Sequence, residues 1–201
     1  MIYTNKIEKA IKFAAKTHNH YQEQKRKGKN IPYIAHPLTA GIILALAGAS
    51  EDVIVAGILH DTIEDSIEEK KVSSEMIAER FGVPVRDLVL SVTETDKTLS
   101  WEKRKAIALA HIEEFSEDSA LVKSADMLSN GRELIDDFKR HGMRIFDYFT
   151  ASPRDVITNY QRVIDALLRC FPESLLAEDL RTLNREIADM KGVLRKVSSR
   201  I

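Results

Sequence analysis

A single cysteine, Cys170, leaves the chain unable to close a disulfide on itself, and a reducing compartment is the expected setting. No segment approaches the roughly 20 uninterrupted apolar residues of a membrane-spanning helix, because charges interrupt every apolar run. The opening residues, MIYTNKIEKA, lack the apolar core of a secretory signal. The expectation is a cytoplasmic protein that does not engage a membrane. Charge of one sign is missing too: 30 Lys and Arg stand against 31 Asp and Glu, so no global field favours a long nucleic acid. Any nucleotide site must be local. Glycine and proline number only 8 and 5, and no linker rich in them, no repeat and no low-complexity tract divides the 201 residues. One domain over residues 1–201 is expected.

What is present is helical spacing. Ile7, Ala10, Ile11, Ala14 and Ala15 recur with a period near 3.6, as do Leu38, Ile42, Ala45 and Leu46. No strand pattern survives beside them. Pro37 suits a first helical turn, while Ser50 and Ser116 each precede two acids in the manner of N-caps. The pattern predicts helices at about residues 5–20, 37–48, 51–65, 73–81, 84–93, 101–115, 117–130, 143–170 and 174–196, an all-α bundle. Two polar connections, residues 21–35 and 94–100, are where ligand contacts are expected. Residues 191–201 read as a surface tail.

The chemistry concentrates in Val53-Ile54-Val55-Ala56-Gly57-Ile58-Leu59-His60-Asp61-Thr62-Ile63-Glu64-Asp65. On one continuous helix, His60, Asp61, Glu64 and Asp65 would share an arc of about 140°. A solvated helix end is the plain alternative. It is weakened because three carboxylates at a helix C-terminus oppose the macrodipole and repel one another, a cost that a bound cation relieves. His36 lies just before Pro37, where its ring can turn inward; a lone His there is commonly structural. Asp126 sits in the apolar helical stretch Ala120 to Asn130, where an unpaired carboxylate is expensive to bury, so it needs a partner. Two imidazoles and two carboxylates suit a borderline divalent ion such as Mn²⁺, Fe²⁺ or Zn²⁺.

The order His, His-Asp, Asp resembles the HD-domain phosphohydrolases, and four blocks are similar to the alarmone hydrolases of the RelA/SpoT type. They are Arg26-Lys27, Pro32-Tyr33-Ile34-Ala35-His36-Pro37, His60-Asp61-Thr62-Ile63-Glu64-Asp65 and Lys123-Ser124-Ala125-Asp126-Met127-Leu128-Ser129-Asn130. Phe81-Gly82, Val92-Thr93, Lys97-Thr98 and the pair Arg144 and Tyr148 extend the likeness, which covers about residues 7–165. The family's early His is matched by His18 or by His20, and neither is assigned to the site.

That resemblance implies a single-domain HD-type bundle that hydrolyses the 3′-diphosphate of ppGpp, pppGpp or an adenosine analogue, releasing pyrophosphate. It implies one divalent transition metal, Mn²⁺ by expectation, on His36, His60, Asp61 and Asp126. Glu64 and Asp65 would orient the attacking water and manage its proton. Arg26, Lys27, Lys97, Asn130, Arg144 and Tyr148 would contact the nucleotide. With no synthetase-like region in the sequence, a stand-alone small hydrolase is expected. A phosphatase on another nucleotide or NADPH, and a non-catalytic nucleotide-binding or toxin-neutralising module, are the alternatives. A partner toxin synthetase and a homo-oligomer both stay open.

Overall fold

In the computed structural model, residues 3–94, 96 and 98–198 are described, with side chains through residue 192. The helices are α1 (Asn5–Ala15), α2 (Ala35–Leu46), α3 (Glu51–Leu59), the single turn α4 (Thr62–Asp65), α5 (Ser74–Phe81), α6 (Val83–Val92), α7 (Trp101–His111), α8 (Glu117–His141), α9 (Pro153–Cys170) and α10 (Ala177–Ser198). No strand occurs among the described residues; Lys25 and Pro32 form an isolated bridge that pinches the loop before α2.

The helix starts follow from hydroxyl caps. Ser50 accepts the Val53 amide, Ser116 that of Ser119 and Ser152 that of Asp155, each satisfying an otherwise orphaned N–H. Beyond its acidic first turn, Glu51-Asp52, α3 is apolar on every side, so it is buried, with α1, α2, α6 and α8 packed around it. Gly41 and Gly57 let α2 and α3 approach closely, since a Cβ on Gly41 would lie 2.6 Å from Ile58 Cγ1 and one on Gly57 would strike Leu44.

Five boundaries differ from the sequence reading, the first three for a local reason. The expected helix over 51–65 breaks at His60-Asp61, where the Thr62 hydroxyl donates to Leu59 O at 2.6 Å and Asp61 adopts φ −94° and ψ −5°. The helix expected to stop at 130 continues to His141 and stops only at Gly142, whose φ is +63°. Asn130-Gly131 reads as a stop but is a close-packing point, because a Cβ on Gly131 would sit 2.7 Å from Leu183 Cδ2 of α10. The expected helix over 143–170 is two elements, a 3₁₀ stretch Gly142–Tyr148 and α9, because Ser152-Pro153 is a capped start with an extended residue before proline. Finally, α1 loosens into a π-helical turn, Lys16–His20, and the α10 backbone stays helical to Ser198, through most of the segment read as a tail.

The Gly131 contact makes a prediction. Gly131→Leu should lower stability by about 1–3 kcal/mol in urea unfolding, because the added side chain overpacks a site already filled by Leu183. Combined with Leu183→Ala, the cycle should show a favourable coupling of about 1 kcal/mol or more. Strictly additive effects would exclude the contact as the cause.

Candidate functional site

The break after α3 changes the geometry read from sequence. His60 and Asp61 do not continue one regular helix toward Glu64 and Asp65; they occupy the turn between α3 and α4. His36 reaches that point from the first turn of α2, and Asp126 from the middle of α8. The Nε2 atoms of His36 and His60 face each other at 3.2 Å. Asp126 Oδ1 lies 3.4 Å and 3.8 Å from them, and Asp61 Oδ2 lies 3.5 Å and 3.1 Å away. Donor atoms of His36, His60 and Asp126 all fall within 4.8 Å of one another. Asp61 completes the group while also accepting the Tyr33 hydroxyl at 2.6 Å.

The surrounding hydrogen bonds set which atoms point inward. His60 Nδ1 must donate to Gly57 O at 2.8 Å, since a carbonyl only accepts, so Nε2 is the nitrogen that faces the cluster and, in the neutral ring, the one that carries the lone pair. His36 Nδ1 is paired with Ser129 Oγ at 2.9 Å, which turns its Nε2 the same way. Two inward ring nitrogens 3.2 Å apart between two carboxylates become, once free of protons, the donor set of a divalent cation, with the outer atoms of both rings held by backbone or hydroxyl partners. Such a cation fits here.

Electrostatics agree. Burial disfavours the imidazolium of His60, yet the Asp61 and Asp126 carboxylates outweigh it and hold the group up at about 9 when no cation is present. Burial would raise Asp61, but His60 and His36 hold it well below the usual carboxylate range. Asp126 is likewise pulled down against burial, first by Lys123, whose Nζ lies 2.7 Å from Oδ2, then by the imidazoles. Lys123 was not singled out by sequence as a site residue, although its place three residues before Asp126 on one helix was the available signal.

Glu64 and Asp65 flank this group on α4. Glu64 Oε2 accepts the backbone N–H of Glu94 at 3.3 Å, and the Glu94 carboxylate is anchored on α7 by Arg104 at 2.9 Å and by Lys105. Asp65 Oδ2 accepts from Gln24 Nε2 at 3.0 Å. The anchors Glu94, Arg104 and Lys105 are absent from the sequence reading.

A cleft of about 880 Å³ opens over these residues. Arg26, Lys27, Asn130, Arg144 and Tyr148, all expected to meet the nucleotide, line it. Arg26 donates to Glu133 and, at 2.6 Å, to Asn130 Oδ1, while its guanidinium lies over the Tyr33 ring at 5.3 Å. Asn130 in turn donates to Asp126 Oδ1 at 2.6 Å, linking Arg26 to the metal-type cluster. Burial lowers the pKa of Lys27, helped by nearby Lys105 and Arg26, and its ammonium lies 4.6 Å from the Phe149 ring. Glu133, which also pairs with Lys29, was missed: it lies 107 residues from Arg26, and no short motif announces such a pairing. Arg144 and Tyr148 do not share a helix face as expected, because four residues along a 3₁₀ helix turn about 120° away from alignment; both reach the cleft nonetheless. Lys97 lies outside the described residues.

A model of the HD domain family matches residues 10–157. The chain is 39% identical over 130 residues to the guanosine-3′,5′-bis(diphosphate) 3′-pyrophosphohydrolase MESH1 of Xenopus tropicalis, covering 64% of this chain and 69% of that one. It is 36% identical over 127 residues to its Homo sapiens counterpart, covering 62% and 67%. Among solved structures, it superimposes with TM-score 0.74 and 25% identity on a metazoan SpoT ortholog described as hydrolysing ppGpp, over 92% of this chain and 96% of that one. A Listeria monocytogenes protein superimposes with TM-score 0.67 and 31% identity, over 76% and 96%.

Proposed function

The chain belongs to the HD domain family, and on that premise we propose that it is a metal-dependent hydrolase of the 3′-diphosphate of ppGpp, pppGpp or an adenosine analogue. The observation that carries this reading is the convergence of His36 with His60, Asp61 and Asp126, the last three lining one cleft together with Glu64, Asp65, Lys27 and Arg144. We assign the cation to those two histidines and two aspartates and propose Mn²⁺, because imidazole and carboxylate together favour an ion of intermediate hardness. When bound, it supplies Lewis acidity toward a phosphate oxygen and a water molecule.

The residues of the chain do the rest. Glu64, held toward the cleft by the Glu94 amide, orients the attacking water and accepts its proton, with Asp65 beside it. The water oxygen joins the phosphorus next to the sugar, the bond from that phosphorus to O3′ breaks, and O3′ takes up a proton. Pyrophosphate leaves intact. Arg26, its guanidinium fixed by Glu133 and Asn130, offers a flat cationic surface for the base, and Lys27 and Arg144 offset phosphate charge, with Lys97 assigned to the same task. The proposed compartment is the cytoplasm.

The test is direct. Metal-loaded protein incubated with guanosine 3′,5′-bisdiphosphate should give GDP and pyrophosphate in equal amounts. Orthophosphate as the first product would overturn the assignment in favour of a phosphatase, and a panel including NADPH would then identify its substrate.

A further inference from the structure

The π-helical turn Lys16–His20 ends α1 just before the cleft, and such turns often accompany functional sites. It places His18 fully inside the protein, while His20 is exposed. From there a run of polar groups leads to Asp65. His18 Nδ1 lies 2.8 Å from Gln24 Oε1, and Gln24 Nε2 donates to Asp65 Oδ2 at 3.0 Å. Gln22 braces the same point, donating to Asp65 O at 2.8 Å and to Gln24 Oε1 at 3.3 Å.

Each atom's role follows from its neighbour. An ionised carboxylate only accepts, so the Gln24 amide must turn its NH₂ to Asp65 and its oxygen to His18. An amide oxygen also only accepts, so His18 must carry a hydrogen on Nδ1. Burial lowers the His18 pKa, which keeps the ring neutral with one N–H, and that hydrogen is then committed to Gln24. Nε2 is left as a lone pair, buried and without a hydrogen-bond partner. A buried acceptor left unpaired is costly, and a ring kept there despite the cost is held for what its other nitrogen does.

We propose that His18 and Gln24 are positioning residues for the hydrolytic reaction, forming a relay that fixes the rotamer of Asp65. Resting on the function proposed above, this assigns to the π turn the task of presenting Asp65 to the attacking water. The loop after α1 therefore grips the end of α4 by both its backbone carbonyl and its carboxylate.

The experiment compares wild type, Asp65→Asn, Gln24→Met, His18→Leu and His18→Asn for single-turnover rate, KM and Mn²⁺ stoichiometry with guanosine 3′,5′-bisdiphosphate. Gln24→Met keeps length and removes both polar atoms. The Asn side chain places its amide nitrogen where imidazole Nδ1 lies, so His18→Asn retains the donor. Gln24→Met and His18→Leu should lose on the order of ten- to a hundredfold in turnover, with KM and metal content nearly unchanged, and His18→Asn should recover most of the loss. Labelled imidazole spectra should show His18 as the Nδ1–H tautomer in wild type and a changed shift in Gln24→Met. An impaired Asp65→Asn beside a fully active Gln24→Met would overturn the relay alone. Recovery by His18→Leu as good as by His18→Asn would do the same, reducing His18 to packing. An inactive wild type, with the tautomer as expected, would overturn the proposed reaction and leave the relay geometry standing.

Discussion

Glu64→Gln should lose on the order of 10² to 10⁴ in turnover while keeping its fold and its full complement of metal. Glu64 lies outside the group of donor atoms formed by His36, His60 and Asp126, so replacing it removes no atom from that cluster. The glutamine is nearly isosteric, and its amide oxygen can still accept the Glu94 N–H that the carboxylate accepts at 3.3 Å. Only the negative charge and the capacity to take a proton disappear. If Glu64 receives the proton of the attacking water, the loss must appear in the chemical step rather than in KM, because the group acts on the transition state. Metal analysis and single-turnover rate, measured on one preparation, separate the possibilities. Near wild-type turnover would defeat the assignment. Metal content falling in step with rate would instead make Glu64 a ligand.

The helical character of the chain was legible because nearly every segment carries a 3.6-residue apolar stripe, and α3 in particular is apolar from Val53 to Leu59 before it meets His60. Its break was not. Whether a helix continues through His60-Asp61-Thr62 depends on whether the Thr62 hydroxyl turns back to Leu59 O, and a Thr in a helical pattern does not announce that choice. The continuation of α8 past Asn130-Gly131 was hidden for the opposite reason. The pair has the composition of a stop, and only Leu183, more than fifty residues on, shows why a glycine belongs there. Ser152-Pro153, by contrast, was readable as a helix start and was passed over within a longer apolar pattern.

Within the site, legibility followed sequence distance. His60-Asp61-Thr62-Ile63-Glu64-Asp65 and Lys123 to Asn130 are short blocks, so their residue types and spacing were visible at once. Glu133 on Arg26, and Arg104 and Lys105 on Glu94, join separate loops and helices through the fold and leave no local trace. The choice between His18 and His20 depended on the π turn, which shifts the register of the chain just where α-helical spacing would have been applied.

Asp126→Ala should abolish metal binding and activity and should also lower the stability of the metal-free protein more than His36→Ala does, by about 1–3 kcal/mol. Both changes remove one ligand, but Asp126 does more than face the cation. Its Oδ2 holds Lys123 at 2.7 Å and its Oδ1 accepts from Asn130 at 2.6 Å, so the alanine takes from a partly buried ammonium its hydrogen-bonded counter-charge. His36→Ala strands the hydroxyl of Ser129, which can rotate to another acceptor, and removes a long 3.5 Å contact from Asn130 Nδ2, which keeps its 2.6 Å bond to Asp126. Metal affinity should depend on pH with a definite sign. In the metal-free protein the Asp61 and Asp126 carboxylates, working against burial, keep His60 protonated up to about pH 9, and its Nε2 must lose that proton to become a ligand. Below about 9 the cation therefore competes with a proton, and its apparent affinity should fall about tenfold for each unit the pH drops, levelling off above that value. Titrating apoprotein with Mn²⁺ from pH 7 to 10, while counting released protons, checks the slope, and urea unfolding with chelator present checks the stability difference between the two variants. An affinity that does not change between pH 7 and 9 would remove His60 from the ligand set. Retention of metal by Asp126→Ala would remove Asp126.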